Sequence, residues 1–221
     1  MPAHGERMAT KYRVVAGDTY PSLARRFYRD DTLATALAAA NRKPETAPLL
    51  VGQDLVIPYI TQRHTVAVDD TLYDLAQLYY GNGAMFPVLS SANHIAAPFV
   101  VRPGDVLLVP DLVNMSKHTV YPGDTVREFA LRWYNDEQSD LMIAYANNLA
   151  EQHDIEVGQT LLRPGLNRRH TVEAGETWTQ LGQWWYGDPA LDRLIAASNG
   201  LAVDAAPPVG HQLFFPDLAE F

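Results

Sequence analysis

Four anchor residues recur in step along this chain, and that constrains its fold more than any other feature. Thr19, Thr71, Thr125 and Thr177 are 52, 54 and 52 residues apart. An Asn follows each Thr by 22 residues (Asn41, Asn93, Asn147, Asn199). A Gly follows each Asn by 11 (Gly52, Gly104, Gly158, Gly210), and a Pro follows each Gly by 6 (Pro58, Pro110, Pro164, Pro216). Three copies open on His-Thr-Val, at His64, His118 and His170, and the first opens on Tyr12-Arg13-Val14. Constant internal spacing means four small units rather than one large core, at 12–58, 64–110, 118–164 and 170–216. The two extra residues fall in the connector between copies two and three. Connectors of five to seven residues leave little slack, which predicts that sequence neighbours touch and that copies one and two unfold together.

Each unit reads as strand, helix, helix, strand. A short β-branched strand is expected at Val14-Val15, Thr65-Val66, Thr119-Val120 and Thr171-Val172. A Gly-Asp-Thr turn follows, with Thr as the helix N-cap. Leu23, Ala24, Phe27 and Tyr28, with their counterparts in the other copies, form one face of a first helix. Gly81, Gly187 and Asn135 suit its left-handed end; Arg29 departs from that pattern in copy one. A second helix stops at the Asn anchor, and an apolar closing strand ends at the Pro. The expected fold class is α+β: four βααβ units in tandem, each a two-stranded antiparallel sheet with two helices on one face.

Composition narrows the function. The chain has no Cys, which excludes disulfide scaffolds, thiol nucleophiles and cysteine-held metals. A formal charge of −9 argues against reading a nucleic-acid backbone. No apolar run is long enough for membrane insertion. Copy one is nearly neutral and the other three are acidic. The periodic histidines sit in separate units, so strand-start roles are expected of them and no metal or cofactor is. His-Glu-x-x-His, Gly-x-Ser-x-Gly and P-loop motifs are absent, and the repeats consume the chain, so it is expected not to be an enzyme.

The segments His118-Thr119-Val120-Tyr121-Pro122-Gly123-Asp124-Thr125 and Val51-Gly52-Gln53-Asp54-Leu55-Val56-Ile57-Pro58 closely resemble the LysM family. Gly81-Asn82-Gly83-Ala84-Met85-Phe86-Pro87 and Tyr186-Gly187-Asp188-Pro189 resemble its longer-loop form, which is common in phage tails and contractile injection particles. The resemblance implies binding of N-acetylglucosamine polymers, peptidoglycan or chitin-like glycan, in a shallow groove between the first turn and the loop before the last strand. Carried over, the glycan-binding residues are Gly17, Asp18, Thr19, Tyr20 and Leu49 in copy one. In copy three they are Gly123, Asp124, Thr125 and Ile155; in copy four, Gly175, Glu176, Thr177, Trp178 and Pro207. The same Gly-Asp-Thr residues read equally well as a plain turn and cap, and Tyr20 and Trp178 as core aromatics. In copy two Asp69 replaces the turn Gly, which predicts a narrowed turn and no glycan site there.

The first seven residues, Met1 to Arg7, show no secretory h-region. Together with the longer-loop form, this leads to the expectation of a protein made in the cytoplasm and assembled into a virion or tail-like particle. Its partners there would be tail, baseplate or injection-particle proteins. The alternative is a purely structural adaptor whose units bind protein and no glycan. Pro98-Phe99-Val100-Val101, the Val203 to Val209 loop and the end Leu218-Ala219-Glu220-Phe221 are the expected protein contacts.

Overall fold

The computed structural model describes residues 10–149 and 154–218, and each copy lays down the same elements. Copy one has β1 (Thr10–Arg13), α1 (Tyr20–Tyr28), α2 (Ala34–Ala40) and β2 (Asp54–Ile57). Copy two has β3 (Gln62–Thr65), α3 (Leu72–Tyr80), α4 (Phe86–Ala92) and β4 (Val106–Val109). Copy three has β5 (Asp111–Thr119), α5 (Val126–Tyr134), α6 (Asp140–Ala146) and β6 (Thr160–Gly165). Copy four has β7 (Arg168–Thr171), α7 (Trp178–Tyr186), α8 (Asp192–Ser198) and β8 (Gln212–Phe215). Each pair of strands is an antiparallel two-stranded sheet. The fold is α+β, as the repeat implied.

The opening strands lie further upstream than β-branching alone suggests. Val14, Val66, Val120 and Val172 follow the strands, and each is fixed by its own backbone. Val14 donates to the Gln53 carbonyl (2.8 Å) and accepts from Gly52 (2.8 Å), and the other three copies repeat the pattern. The connectors therefore supply most of the strand residues. In the longest, β5 absorbs the extra residues as a bulge between Asp111 and Ser116. The buried Asp111 carboxylate holds that bulge by accepting from the amides of Val113 (2.8 Å) and Asn114 (3.2 Å).

The anchors have structural work of their own. Thr19, Thr71, Thr125 and Thr177 each accept from a backbone amide in the first turn of the following helix. Asn41 donates through Nδ2 to the carbonyls of Leu37 and Val56, both 2.8 Å, while its Oδ1 accepts from the Val56 amide (2.8 Å). Asn93, Asn147 and Asn199 make the same three bonds. One amide side chain thus satisfies a helix end and a strand edge together, which explains the invariant spacing. Tyr28, Tyr134 and Tyr186 donate their hydroxyls to the carbonyls of Pro58, Pro164 and Pro216. Arg29 reaches the left-handed helix end (φ 60°) that glycine or asparagine fills elsewhere.

Two compact units result: residues 1–60 with 167–221, and residues 61–166. Copies one and four make the first, copies two and three the second. The expectation that copies one and two pair as sequence neighbours is corrected, because they fall in different units. Helix faces rather than connector lengths decide the pairing. In unit one α2 packs on α8, and Ala36, Ala39, Ala40, Ile60, Leu191 and Leu194 form a core separate from either copy's own. Tyr59 and Asp217 exchange backbone bonds of 2.8 and 3.0 Å beside it, and Asn167 donates to the Tyr59 carbonyl (3.0 Å). In unit two α4 packs on α6. Burying an aliphatic side chain in such a seam contributes roughly 1.5–3 kcal/mol.

Candidate functional site

The Gly-Asp-Thr turns are tied down by their own acids. Asp18 Oδ2 accepts from the Val15 amide (2.8 Å) and the Tyr12 hydroxyl (2.9 Å). Asp70 accepts from Ala67 (2.7 Å) and pairs with His64 Nε2 (2.9 Å); Asp124 accepts from Tyr121 (2.8 Å) and pairs with His118 Nε2 (3.4 Å). Glu176 accepts from Glu173 (2.8 Å) and pairs with His170 Nε2 (2.8 Å). The His64 bond, then the Ala67 amide, hold the Asp70 carboxyl below the ordinary carboxylate range. The Tyr121 amide does the same for Asp124, ahead of His118. The opening histidine or tyrosine thus braces the turn. Among the described residues no cluster of three or more His, Asp or Glu could hold a metal ion.

These bonds leave the turn's backbone and rim, rather than its acid, facing outward. Gly17, Gly123 and Gly175 are exposed at φ 89°, 91° and 90°, and a β-carbon on any of them would meet nothing within 4 Å. Asp69 adopts the same left-handed conformation, φ 71°. The predicted narrowing of the copy-two turn is therefore corrected: the turn is kept, because the space beside such a residue is open.

Copy four has a formed groove. A hollow of about 210 Å³ lies between the start of α7 and the loop before β8, lined by Thr177, Trp178, Thr179, Asp192 and residues Val203 to Pro207. Trp178 is buried and belongs to the copy-four core, yet its indole N–H reaches out to the Ala205 carbonyl (2.7 Å). That bond ties floor to wall and sets the groove's width. Thr177, Trp178 and Pro207 are brought together; Gly175 and Glu176 lie outside the lining. The wall residue Ala206 was expected beside Pro207, whereas Thr179, Asp192 and Val203 to Ala205 were not anticipated in the groove.

In copy one Tyr20 takes the Trp178 position and is 1% exposed, and Leu49 packs against the same core. Burial raises the Tyr20 phenol above its ordinary value, and its hydroxyl has no hydrogen-bond partner among the described residues. In copy three the floor is Val126, buried, and Ile155 is half-buried. Copies one and four thus carry aromatic floors with a polar tip, and copies two and three carry aliphatic ones, Leu72 and Val126. Of the expected protein contacts, Phe99 and Val100 are exposed, and Ala219 to Phe221 lie outside the described residues. No helix among the described residues is long and apolar enough to cross a membrane.

Small βααβ units in series, with a shallow groove between first turn and last loop in copy four, define a tandem-repeat protein. The LysM domain model matches residues 12–58, 64–110 and 118–164, and the chain belongs to the LysM family, whose domains bind peptidoglycan and related glycans. Copy four lies outside those matches but repeats their element series. Esterase Rv1288 and Esterase MT1326 of Mycobacterium tuberculosis are each 39% identical over 150 residues, 68% of this chain and 32% of theirs. The chain thus spans about a third of the length of these curated relatives. Among solved structures, the spore cortex-lytic enzyme SleL of Bacillus megaterium aligns at 29% identity and TM-score 0.25, over 50% of this chain and 24% of its own. SleL of Bacillus cereus aligns at 26% and 0.21, over 52% and 25%. The expectation that this chain is not an enzyme is corrected by the two mycobacterial relatives, which are named as esterases and point to an enzyme-associated protein.

Proposed function

We propose that the array holds N-acetylglucosamine-containing wall glycan in its grooves and thereby places an enzymatic activity on that polymer. The groove of copy four carries this reading: two backbone-rich walls meet over an aromatic floor. Such a site offers amide and carbonyl groups to an acetamido group and an apolar surface to a sugar ring. Individually weak sites on one chain gain by acting together. The enzyme names of the relatives favour this setting over a tail or injection particle.

Sedimentation with insoluble peptidoglycan and with chitin tests the glycan part. The chain should be retained, and Ala206→Arg, which fills the copy-four groove from an exposed position, should weaken retention. A chain that stays in the supernatant with both polymers refutes the reading. For the placing role, an esterase fused to the array should turn over wall-attached ester faster than soluble ester; equal rates would remove it.

A further inference from the structure

Unit two contains a larger cavity that is no part of any single-copy groove. It lies at the seam of copies two and three and measures about 840 Å³. One wall is α4 with the loop from His94 to Phe99; the other is α6, Arg127 and the turn around Gln138. That volume falls within the range of about 300–1,000 Å³ usual for ligand pockets. Phe99, Leu141 and Tyr145 expose 41%, 43% and 43% of their surface there. Phe86 braces Phe99 edge-on, with ring centroids 5.3 Å apart. The side chains of Ser91, Gln138 and Tyr145 give no hydrogen bond to any described residue.

The other unit shows that packing does not demand these aromatics. At the same repeat positions it has Ala34 for Phe86, Ala47 for Phe99 and Ala197 for Tyr145. Ala34 and Ala47 pack in the copy-one core and Ala197 against the seam core, where unit two has three rings around a cavity, two of which, Phe99 and Tyr145, are exposed. Exposed aromatic area without a packing reason points to a ligand.

We propose that this seam is a second saccharide site, built only by pairing copies two and three; the inference rests on the glycan-binding reading above. Flat apolar faces beside uncommitted hydroxyl and amide groups suit a pyranose, which presents C–H faces and a rim of hydroxyls. Charge agrees. Arg127 is paired to Glu137 and Asp140 adds a further acid, so the lining disfavours an anionic polymer. A peptide binding by strand addition would need an open strand edge, and the walls here are helices and turns.

Amide chemical-shift mapping of the full chain with the N-acetylglucosamine tetramer tests it. The amides of Ser91, Ala96, Gln138 and Tyr145 should move, in addition to those at Trp178 and Ala205. Tyr145→Ala should weaken the seam shifts roughly tenfold in apparent affinity while leaving those at Trp178 unchanged. Alanine already stands at that register in copy four, so the variant should fold, and its unperturbed spectrum checks this. Phe99→Ala gives the same test from the opposite wall. Shifts at Trp178 with a silent seam overturn this inference and leave the proposed function standing. Silence at both overturns both. Seam shifts that persist in both variants overturn the assignment to these rings, as does a seam that answers only to a protein partner.

Discussion

The seam of unit one is built from small side chains: Ala36, Ala39 and Ala40 of α2 close against Leu191 and Leu194. The matching positions of unit two are Val88, Ser91, Ala92, Ser139 and Met142. The helices pair in both cases, and in the same register. In unit one Arg42, just past α2, reaches Asp188, at the turn before α8, with Nε 3.0 Å from Oδ2. In unit two His94 and Asp136 hold the same positions, 2.8 Å apart. The converse positions carry no such opposition: Gly200 against Asp30, and Asn148 against Asn82. One nitrogen base on the earlier copy and one acid on the later copy therefore mark each pair. Val88, Ala92, Ser139 and Met142 are buried in unit two as well, so both seams have a core; what differs is the cavity that opens beside it in unit two.

The largest test of this contrast is Leu194→Ala. Leu194 is fully buried in the unit-one seam, so truncation should cost about 2–5 kcal/mol. Hydrogen exchange should speed up across copies one and four together and leave copies two and three protected. Loosening confined to copy four would show that the seam does not couple the pair.

A smaller effect of opposite sign is expected at the groove floors. The Tyr20 hydroxyl is buried without a partner, a situation that costs on the order of 1–3 kcal/mol. Tyr20→Phe should therefore raise the melting temperature of unit one. If copy one binds glycan through that hydroxyl, the same variant should lose affinity for the N-acetylglucosamine tetramer, separating stability from function. Leu72 and Val126 offer unit two no equivalent change.

Sequence spacing alone gave the four units, both helices of each, the Thr caps and the closing strands, because local rules set them. The Asn anchors were visible but their role was not, since their carbonyl and amide partners are backbone groups fifteen residues away. The pairing of one with four was hidden for a different reason. Short connectors suggested contact between neighbours, whereas the information lay in a second apolar face on α2 and α8. Ala36, Ala39 and Ala40 could have been read as that face, and Arg42 with Asp188 as its charge mark. The copy-four groove was legible at Thr177, Trp178, Ala206 and Pro207; Thr179, Asp192 and Val203 to Ala205 carried no motif that marked them.

Asp69→Gly asks whether copy two departs from the other copies in its turn or only in its floor. An aspartate at φ 71° carries modest strain, so stability should change by at most about 1 kcal/mol. Because the turn is already formed, glycan shifts in copy two should not appear when the glycine is restored. Their appearance would mean that the aspartate side chain, not the aliphatic floor at Leu72, separates copy two from copy four.

The smallest expected effect concerns acid. Arg42, and after it the Ala190 amide, hold the Asp188 carboxyl below the ordinary carboxylate range. A depressed carboxylate stabilises the fold fully above its unfolded-state value, and that contribution fades as pH falls through its folded value. Unit one should thus loosen at its seam under acid, and Asp188→Asn should flatten that response by loosening the seam slightly near neutrality, where the charged carboxylate contributes. The Arg42 side chain is 63% exposed, so added salt should weaken the effect. In unit two the corresponding pair is more enclosed, 30% and 10% exposed, and an imidazole stands in place of the guanidinium. His94→Arg would give that seam a permanent charge, as in unit one. If the two seams then respond alike to salt, the charge pair accounts for their difference in salt sensitivity. If unit two stays insensitive, its enclosure does, and the cavity beside it is bounded by a rigid wall.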